Sequence, residues 1–184
     1  KVSKGRQVKT RTWRARKDKL GQMVQMDGSH HRWLEDRGPP LVLLGHIDDA
    51  TGRIYGRFFE YEGTLPAMES MKGYIRRYGI PGQIYLDKHS AYRKNSRNRY
   101  RDWPFRDEEE LTQFERACKQ LGIEIIHAHS PQAKGRIERL FKTLQDRLVK
   151  EMRLAGIKAC AEANEFLEEY LGKFNEKFSI PARG

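Results

Sequence analysis

The 184-residue chain is 38% hydrophobic and 33% charged, and its formal net charge at pH 7 is +11. This length suffices for one domain with a proper core, and the periodic apolar segments exclude a disordered chain. No apolar run approaches the roughly 18 residues that a membrane span needs. So strong a positive charge is typical of proteins that bind a polyanion, most often nucleic acid, although a merely cationic surface would give the same value.

The chain begins with a basic segment. Residues 1–19 contain nine Lys or Arg against one acid, Asp18, and show no apolar periodicity. We predict a basic arm or linker that touches phosphates, while a flexible domain boundary is an equally good interpretation. Residues 20–179 are predicted to form the folded core and residues 180–184 a tail. Because the sequence starts at Lys1 rather than at Met, we expect an excised domain.

Three strands are predicted in quick succession after the arm. Their sequences are GQMVQMDG, PLVLLGHID and RIYGRFFEYE. The DDATGR segment, residues 48–53, supplies a tight turn between the second and third, with Gly52 available for positive φ. These strands are expected to form an antiparallel meander.

Helices and strands alternate in the rest of the chain. Thr64 is the expected N-cap of the first helix and Gly79 its stop. The predicted elements are a helix over about 64–78, the strand GQIYLD, the helix DEEELTQFERACKQLG, the strand IEIIHA, a long helix from Ser130 to Gly156 and a last helix over about 160–174. This order predicts an α/β fold with a mixed five-stranded sheet flanked by helices.

Three acidic residues stand at positions where the predicted fold could bring them together. Asp27 interrupts the first strand, Asp87 ends the fourth, and Glu138 lies on the long helix after the fifth. Strands one and four can be neighbours in a sheet of this order. Oxygen-only carboxylate clusters suit Mg²⁺ or Mn²⁺, and two such ions can promote displacement at phosphorus. The plainer interpretation of Asp27 is that it merely ends a strand.

The long helix presents two distinct faces. One is apolar and consists of Ile137, Phe141, Leu144, Leu148 and Met152. Glu138, Lys142 and Gln145 lie on another, which would suit a metal ligand beside a phosphate-binding cation. Taken alone, the Glu138–Lys142 spacing favours an ordinary surface ion pair.

Four motifs resemble those of one enzyme family. HSPQAKGRIERLFKTLQDRL is similar to the catalytic-helix signature of the retroviral-integrase-type DDE transposases, especially the insertion-sequence transposases grouped as ISNCY. VQMDGSHHRWL resembles their first-aspartate motif, LGHIDDATGRIYGRFF their second and third strands, and IYLDKHSAY their second-aspartate motif. The resemblance runs from about residue 21 to residue 175.

The resemblance implies an RNase H-like core that cuts DNA at transposon ends and transfers the exposed 3′-hydroxyl into target DNA. It further implies Asp27, Asp87 and Glu138 as the metal-binding triad of a two-Mg²⁺ (or Mn²⁺) site, with Asp27 bridging both ions. A homo-oligomer assembled on DNA and a place in the bacterial cytoplasm or nucleoid also follow from the family. Two departures stand out: 50 residues separate Asp87 from Glu138, more than in retroviral integrases, and His89 replaces a small residue.

A set of basic residues is predicted to contact DNA. The resemblance assigns Lys142 to the DNA end, and the basic segment 93–106, interleaved with aromatic residues, suits phosphate contact and base stacking. A solvated surface loop is almost as good an interpretation of that segment. The full set is Lys134, Arg136, Arg139, Lys142, His89, Arg93, Lys94, Arg97 and Arg99.

Several alternatives stay open. The domain could be an RNase H-like nuclease without strand transfer, or a non-catalytic DNA-binding domain that retains the fold. Adjacent His30 and His31 would point to opposite sides of a strand, so a shared metal is not expected. Asp48 and Asp49 fit turn chemistry, with Asp48 the reserve site candidate should the triad be wrong.

Overall fold

Five strands form one mixed sheet in a computed structural model, which describes residues 15–87, 112–128 and 135–184. The strands are β1 (Val24–His31), β2 (Leu41–Asp48), β3 (Ile54–Phe59), β4 (Gln83–Asp87) and β5 (Glu124–Ala128). Their order across the sheet is β3-β2-β1-β4-β5. β1, β2 and β3 pair antiparallel, whereas β4 runs parallel to β1 and β5 parallel to β4. The predicted meander and mixed sheet are both confirmed.

Four helices lie within the described residues. They are α1 (Thr64–Tyr78), α2 (Gln113–Gln120), α3 (Gly135–Leu154) and α4 (Cys160–Phe178). α1 has the predicted bounds, and α4 continues four residues past its predicted end. The predicted start of α2 at residue 107 is wrong, because Thr112 has an extended backbone and caps a helix that begins at Gln113. The start predicted for α3, at residue 130, lies outside the described part of the chain. None of the described helices is long and apolar enough to cross a membrane.

Two details of the helix ends differ from the prediction. Thr64 is the first residue of α1 rather than its cap; Gly63 occupies the cap position, without a side-chain hydrogen bond. Leu121, predicted to join the apolar stripe of α2, is 45% exposed. α2 ends at Gln120, so Leu121 has left the helical periodicity.

The core is divided between the two faces of the sheet. Leu41 and Leu43 of β2 pack with α3 and α4, and the alternate residues Val42 and Leu44 pack with α1 and α2. On β1, Met26 belongs to the α1–α2 side. Because successive strand residues point to opposite faces, Asp27 lies on the face that α3 covers. The predicted apolar face of α3 is confirmed, since all five of its residues are buried.

The described ends of the chain pack beside the turn between β2 and β3. The Lys17 backbone N–H donates to Asp49 Oδ2 at 2.8 Å, and the Ile180 N–H donates to the Thr51 carbonyl at 2.9 Å. The Arg183 N–H donates to the Asp18 carbonyl at 2.8 Å, which joins the two ends to each other. The boundaries of the arm, core and tail stay a prediction.

Candidate active site

Asp27 lies half-buried near the middle of β1, between β2 and β4. Its Oδ1 accepts a hydrogen bond from the Gly28 N–H at 3.0 Å. Its partner across the β1–β2 pair is Gly45, and a Cβ built there would lie 2.7 Å from Phe141 Cε1. The Phe141 ring therefore occupies the space that a side chain at position 45 would fill, beside Asp27.

Asp87 is the last residue of β4, and the strand register brings its backbone close to Asp27. Val24 pairs with Ile84 and Gln25 with Tyr85 in the parallel β1–β4 pair. Continued by two residues, this register makes Asp87 level with Asp27 on the neighbouring strand, where strands are about 4.8 Å apart. On its other side Asp87 pairs with Ala128 of β5. The Asp87 side chain lies outside the described part of the structure.

Two polar contacts fix α3 along β1. Near the start of the helix, Arg136 forms an ion pair with Asp49, whose Oδ1 also accepts from Gln25 Nε2 at 3.5 Å. Nine residues later, Gln145 Nε2 donates to Ser29 Oγ at 3.0 Å. Nine helical residues rise about 13.5 Å and four strand residues span about 13 Å. The match means that α3 runs beside β1 in the same direction.

Glu138 lies between these two contacts. It is exposed, two residues beyond Arg136 and two helical turns before Gln145, on the same face as Gln145. By the helical rise, Glu138 is about 3 Å further along the helix than Arg136, at a level between Gln25 and Asp27. The backbone geometry thus makes Asp27, Asp87 and the first turn of α3 neighbours.

A metal centre requires all three carboxylates. Within residues 15–87, 112–128 and 135–184, no three His, Cys, Asp or Glu side chains are grouped so that they could hold a metal ion. That set excludes the side chain of Asp87. The donors of Asp27 and Glu138 fit a hard divalent cation, because both residues offer carboxylate oxygens.

The predicted DNA-contacting residues on α3 have different surroundings. Lys142 is exposed, and Arg139 is exposed with its Nε donating to the Gly135 carbonyl at 2.9 Å. Arg136 is only 16% exposed, because its guanidinium is turned towards Asp49. Their DNA contacts stay predictions. Six further predicted contacts lie outside the described residues: His89, Arg93, Lys94, Arg97, Arg99 and Lys134.

The adjacent histidines have separate partners, as their alternation predicts. His30 Nε2 lies 2.5 Å from Glu62 Oε2, and the His31 ring packs edge-on against Trp33 with 5.4 Å between ring centroids. They do not share a site. At the end of β5, the ring of His127 lies 3.4 Å from Glu115 Oε1.

The two turn aspartates are buried and do different things. The Asp48 carboxylate accepts from the Thr51 N–H and the Gly21 N–H, both at 2.8 Å, which agrees with the predicted turn role. Asp49 is fully buried and pairs with Arg136, a role that its sequence context did not indicate. No local sequence pattern indicates the Asp49–Arg136 pair, because the two residues lie 87 positions apart in the chain.

No protein-family model matches the chain. It is 44% identical over 172 residues to a Sinorhizobium fredii protein named as transposase y4bF, covering 92% of this chain and 36% of that protein. It is 39% identical over 166 residues to the transposase for insertion sequence IS1202 of Streptococcus pneumoniae, covering 90% and 34%. The chain thus spans about a third of the length of these two relatives.

Solved structures share the fold. A chain of the simian T-cell lymphotropic virus intasome, in complex with a PP2A regulatory subunit, superposes with a TM-score of 0.67 at 19% identity, covering 85% of this chain and 50% of that one. The HTLV-2 integrase catalytic core domain in complex with magnesium gives 0.58 at 15% identity, covering 79% and 82%. The BIV integrase catalytic core gives 0.53 at 19%, covering 78% of each. The fold is therefore the RNase H-like fold of integrase catalytic cores, as the motifs predict.

Proposed function

We propose that the chain is the catalytic domain of a longer transposase of the integrase type, which cuts DNA at transposon ends and joins the exposed 3′-hydroxyl to target DNA. Two kinds of support agree. The sequence is similar over nine-tenths of its length to part of two transposases. The fold is that of integrase catalytic cores.

The observation that carries the proposal is the convergence of three elements. The β1–β4 register, continued by two residues, would make Asp87 level with Asp27, and the Arg136 and Gln145 contacts of α3 lie on either side of Glu138 along β1. Three carboxylates this close would repel one another. A divalent cation between them removes that repulsion, which explains why acids occupy these positions.

Asp27, Asp87 and Glu138 would hold Mg²⁺ or Mn²⁺, which supplies Lewis-acid activation of an attacking oxygen and charge neutralisation at the leaving oxygen when two ions are bound. The chain itself orients the donors. β1 is a central strand, and Asp27 is paired with Gly45 of β2. α3 presents Glu138 from a helix that Arg136 holds near its start and Gln145 holds at its middle. Lys142 and Arg139 are both exposed, and we propose that they contact the phosphates of the DNA substrate.

DNA and a second copy of the protein are the proposed partners. A net charge of +11 favours phosphate binding over the whole surface. One structural neighbour is part of an intasome, which supports assembly of several copies on DNA.

Metal binding tests the site directly. We expect calorimetry with MnCl₂ to detect binding to the native chain and a loss of it in Asp27→Asn and Glu138→Gln. Glu151→Gln is the matched control, because Glu151 is also exposed on α3 but lies more than three turns further along. Absence of binding to the native chain, or binding that Asp27→Asn leaves intact, would contradict the proposed site.

A joining assay tests the reaction. The native chain, a labelled duplex carrying the transposon end, supercoiled plasmid and Mn²⁺ should give labelled plasmid, and Asp27→Asn should not. Nicked plasmid without joined label would indicate a nuclease without strand transfer. Metal binding with neither product would indicate that this domain needs other parts of the protein.

A further inference from the structure

Asp49 is a fully buried carboxylate that makes contact with both elements of the candidate site. It immediately follows β2, with 0% of its surface exposed. A buried charge is strongly destabilising unless it is paired and hydrogen-bonded. Its two oxygens accept from the Lys17 N–H at 2.8 Å and from Gln25 Nε2 at 3.5 Å, and it forms an ion pair with Arg136.

The partners of Asp49 flank the candidate metal ligands. Gln25 precedes Asp27 by two residues on β1, and Arg136 precedes Glu138 by two residues on α3. Arg136 Nη1 also donates to the Asp49 carbonyl at 3.2 Å, so the guanidinium contacts both the side chain and the backbone of Asp49. A single carboxylate therefore links the strand that carries Asp27 to the helical turn that carries Glu138.

The ion pair at the far end of α3 is less constraining. At its far end, Arg153 pairs with Glu35 across side chains that are 53% and 34% exposed. Exposed pairs of this kind contribute little to stability or position. The pair formed by Asp49 and Arg136 has side chains that are 0% and 16% exposed. This buried pair holds the first turn of α3 against the sheet.

We propose that Asp49 is a positioning residue that holds the helical turn carrying Glu138 beside β1 through Arg136, which assigns Arg136 to the protein interior rather than to DNA. This inference rests on the proposed function. Removing a residue that orients a metal ligand typically weakens metal binding by about 10- to 100-fold. A pair that merely stabilised the fold would change stability and leave the metal affinity of the folded protein unaltered.

The test compares Mn²⁺ affinity among variants at a temperature where each is fully folded by circular dichroism. Asp49→Asn keeps the shape of the side chain and an acceptor for Lys17, but turns an amide without charge towards Arg136. We expect it to weaken Mn²⁺ binding about 10-fold or more. Arg136→Gln should do the same, and the double variant should be no worse than either single one, because both remove one interaction.

Two further variants separate the possible failures. Glu35→Gln breaks the exposed pair at the other end of α3 and should leave Mn²⁺ affinity within twofold. Asp27→Asn should abolish binding if the proposed site is correct. Loss of binding in Asp27→Asn together with native affinity in Arg136→Gln would overturn the positioning role and leave the proposed function standing. If Asp49→Asn fails to fold, the comparison of Arg136→Gln with Glu35→Gln decides the same question.

Discussion

Phe141 on α3 lies directly over Gly45 on β2, at the point where Gly45 is paired with Asp27. A Cβ at position 45 would lie 2.7 Å from Phe141 Cε1 and 3.1 Å from its Cζ. Phe141 is buried in the core, so its ring has little freedom to move away. The absence of a side chain at Gly45 lets α3 approach the sheet closely at the level of Asp27.

Gly45→Ala is therefore expected to push α3 away from the sheet. We expect a loss of about 1–3 kcal/mol of unfolding free energy, the usual effect of overpacking, together with weaker Mn²⁺ binding. Urea unfolding and calorimetry measure the two effects. Gly172→Ala in α4 is the control, since nothing lies within 4 Å of a Cβ there and the change should stabilise the helix. Equal stability of Gly45→Ala and the native chain would show that the contact is not tight.

Two asparagines of α4 cover the free edge of the sheet at β3. Asn164 Oδ1 accepts from the Phe58 N–H at 2.8 Å and its Nδ2 donates to the Phe58 carbonyl at 3.0 Å. Asn175 makes the same pair of bonds with Ile54, both at 2.8 Å. Each amide thus replaces the peptide group of a neighbouring strand and blocks pairing with another chain.

Asn164→Ala and Asn175→Ala should each leave two backbone groups of β3 without these partners. We expect each to lower the unfolding free energy by about 1–3 kcal/mol, and the two effects to add because the sites are three helical turns apart. The double variant should also self-associate through β3 as its concentration rises, which size-exclusion chromatography measures. Glu168→Ala, at an exposed position between them, should change stability by less than about 0.5 kcal/mol. A double variant as stable and monomeric as the Glu168 control would refute the edge-covering role.

His46 is buried without charge in the core between the sheet and α1. Its Nε2 lies 2.9 Å from Ser70 Oγ and its ring stacks on Tyr74. Burial lowers the pKa of His46 to about 3. An unfolded His has a pKa of about 6.5, so between these values the unfolded chain binds the proton and the folded chain does not. Stability from this residue is complete above about pH 6.5 and falls as the pH drops towards 3.

Urea unfolding at pH 7.5 and pH 5.5 tests this dependence. The loss of unfolding free energy over that interval should be about 1.4 kcal/mol smaller in His46→Gln than in the native chain, because one proton-linked group has been removed. His31→Gln, which removes an exposed ring, is the matched control for the loss of one histidine. Identical pH dependence in the native chain and His46→Gln would rule out a neutral buried His46.

The elements of the fold could be predicted because their signals are local. The bounds of α1 follow from apolar spacing and from Gly79, whose φ of 89° ends the helix. The buried face of α3 follows from five apolar residues at helical spacing. The prediction failed where a residue preference did not decide the helix boundary. Thr64 is a residue type that commonly caps helices, but Gly63 occupies the cap position of α1.

The relationships that build the site could be predicted only in part, because they depend on register. The motif resemblance implies which acids form the site, a prediction that stays open, and the predicted strand order allows Asp27 and Asp87 to be neighbours. The register between β4 and β1, and the position of Glu138 along β1, depend on the conformations of the segments that connect these elements. The Asp49–Arg136 and Ser29–Gln145 contacts join residues 87 and 116 positions apart, and neither has a local sequence signal.

The position of Lys142 makes a final prediction about DNA binding. Lys142 is exposed on the face of α3 that carries Glu138, so it should contact a phosphate of DNA bound at the site. Lys150 is exposed on the same helix two turns further on, where its Nζ lies 2.6 Å from Asp146 Oδ1. The two residues have the same chemistry and differ in position and pairing, so they form a matched pair of tests.

Lys142→Ala should weaken binding to a short duplex, and the slope of log K against log salt should become shallower by about 0.9, as expected for one lost phosphate contact. Lys150→Ala, in contrast, should leave the slope unchanged, because that cation is already paired and lies away from the carboxylates. Fluorescence anisotropy between about 50 and 200 mM salt measures both. An equal loss of DNA affinity in the two variants would mean that DNA binding depends on the overall charge of α3 and not on a phosphate contact by Lys142.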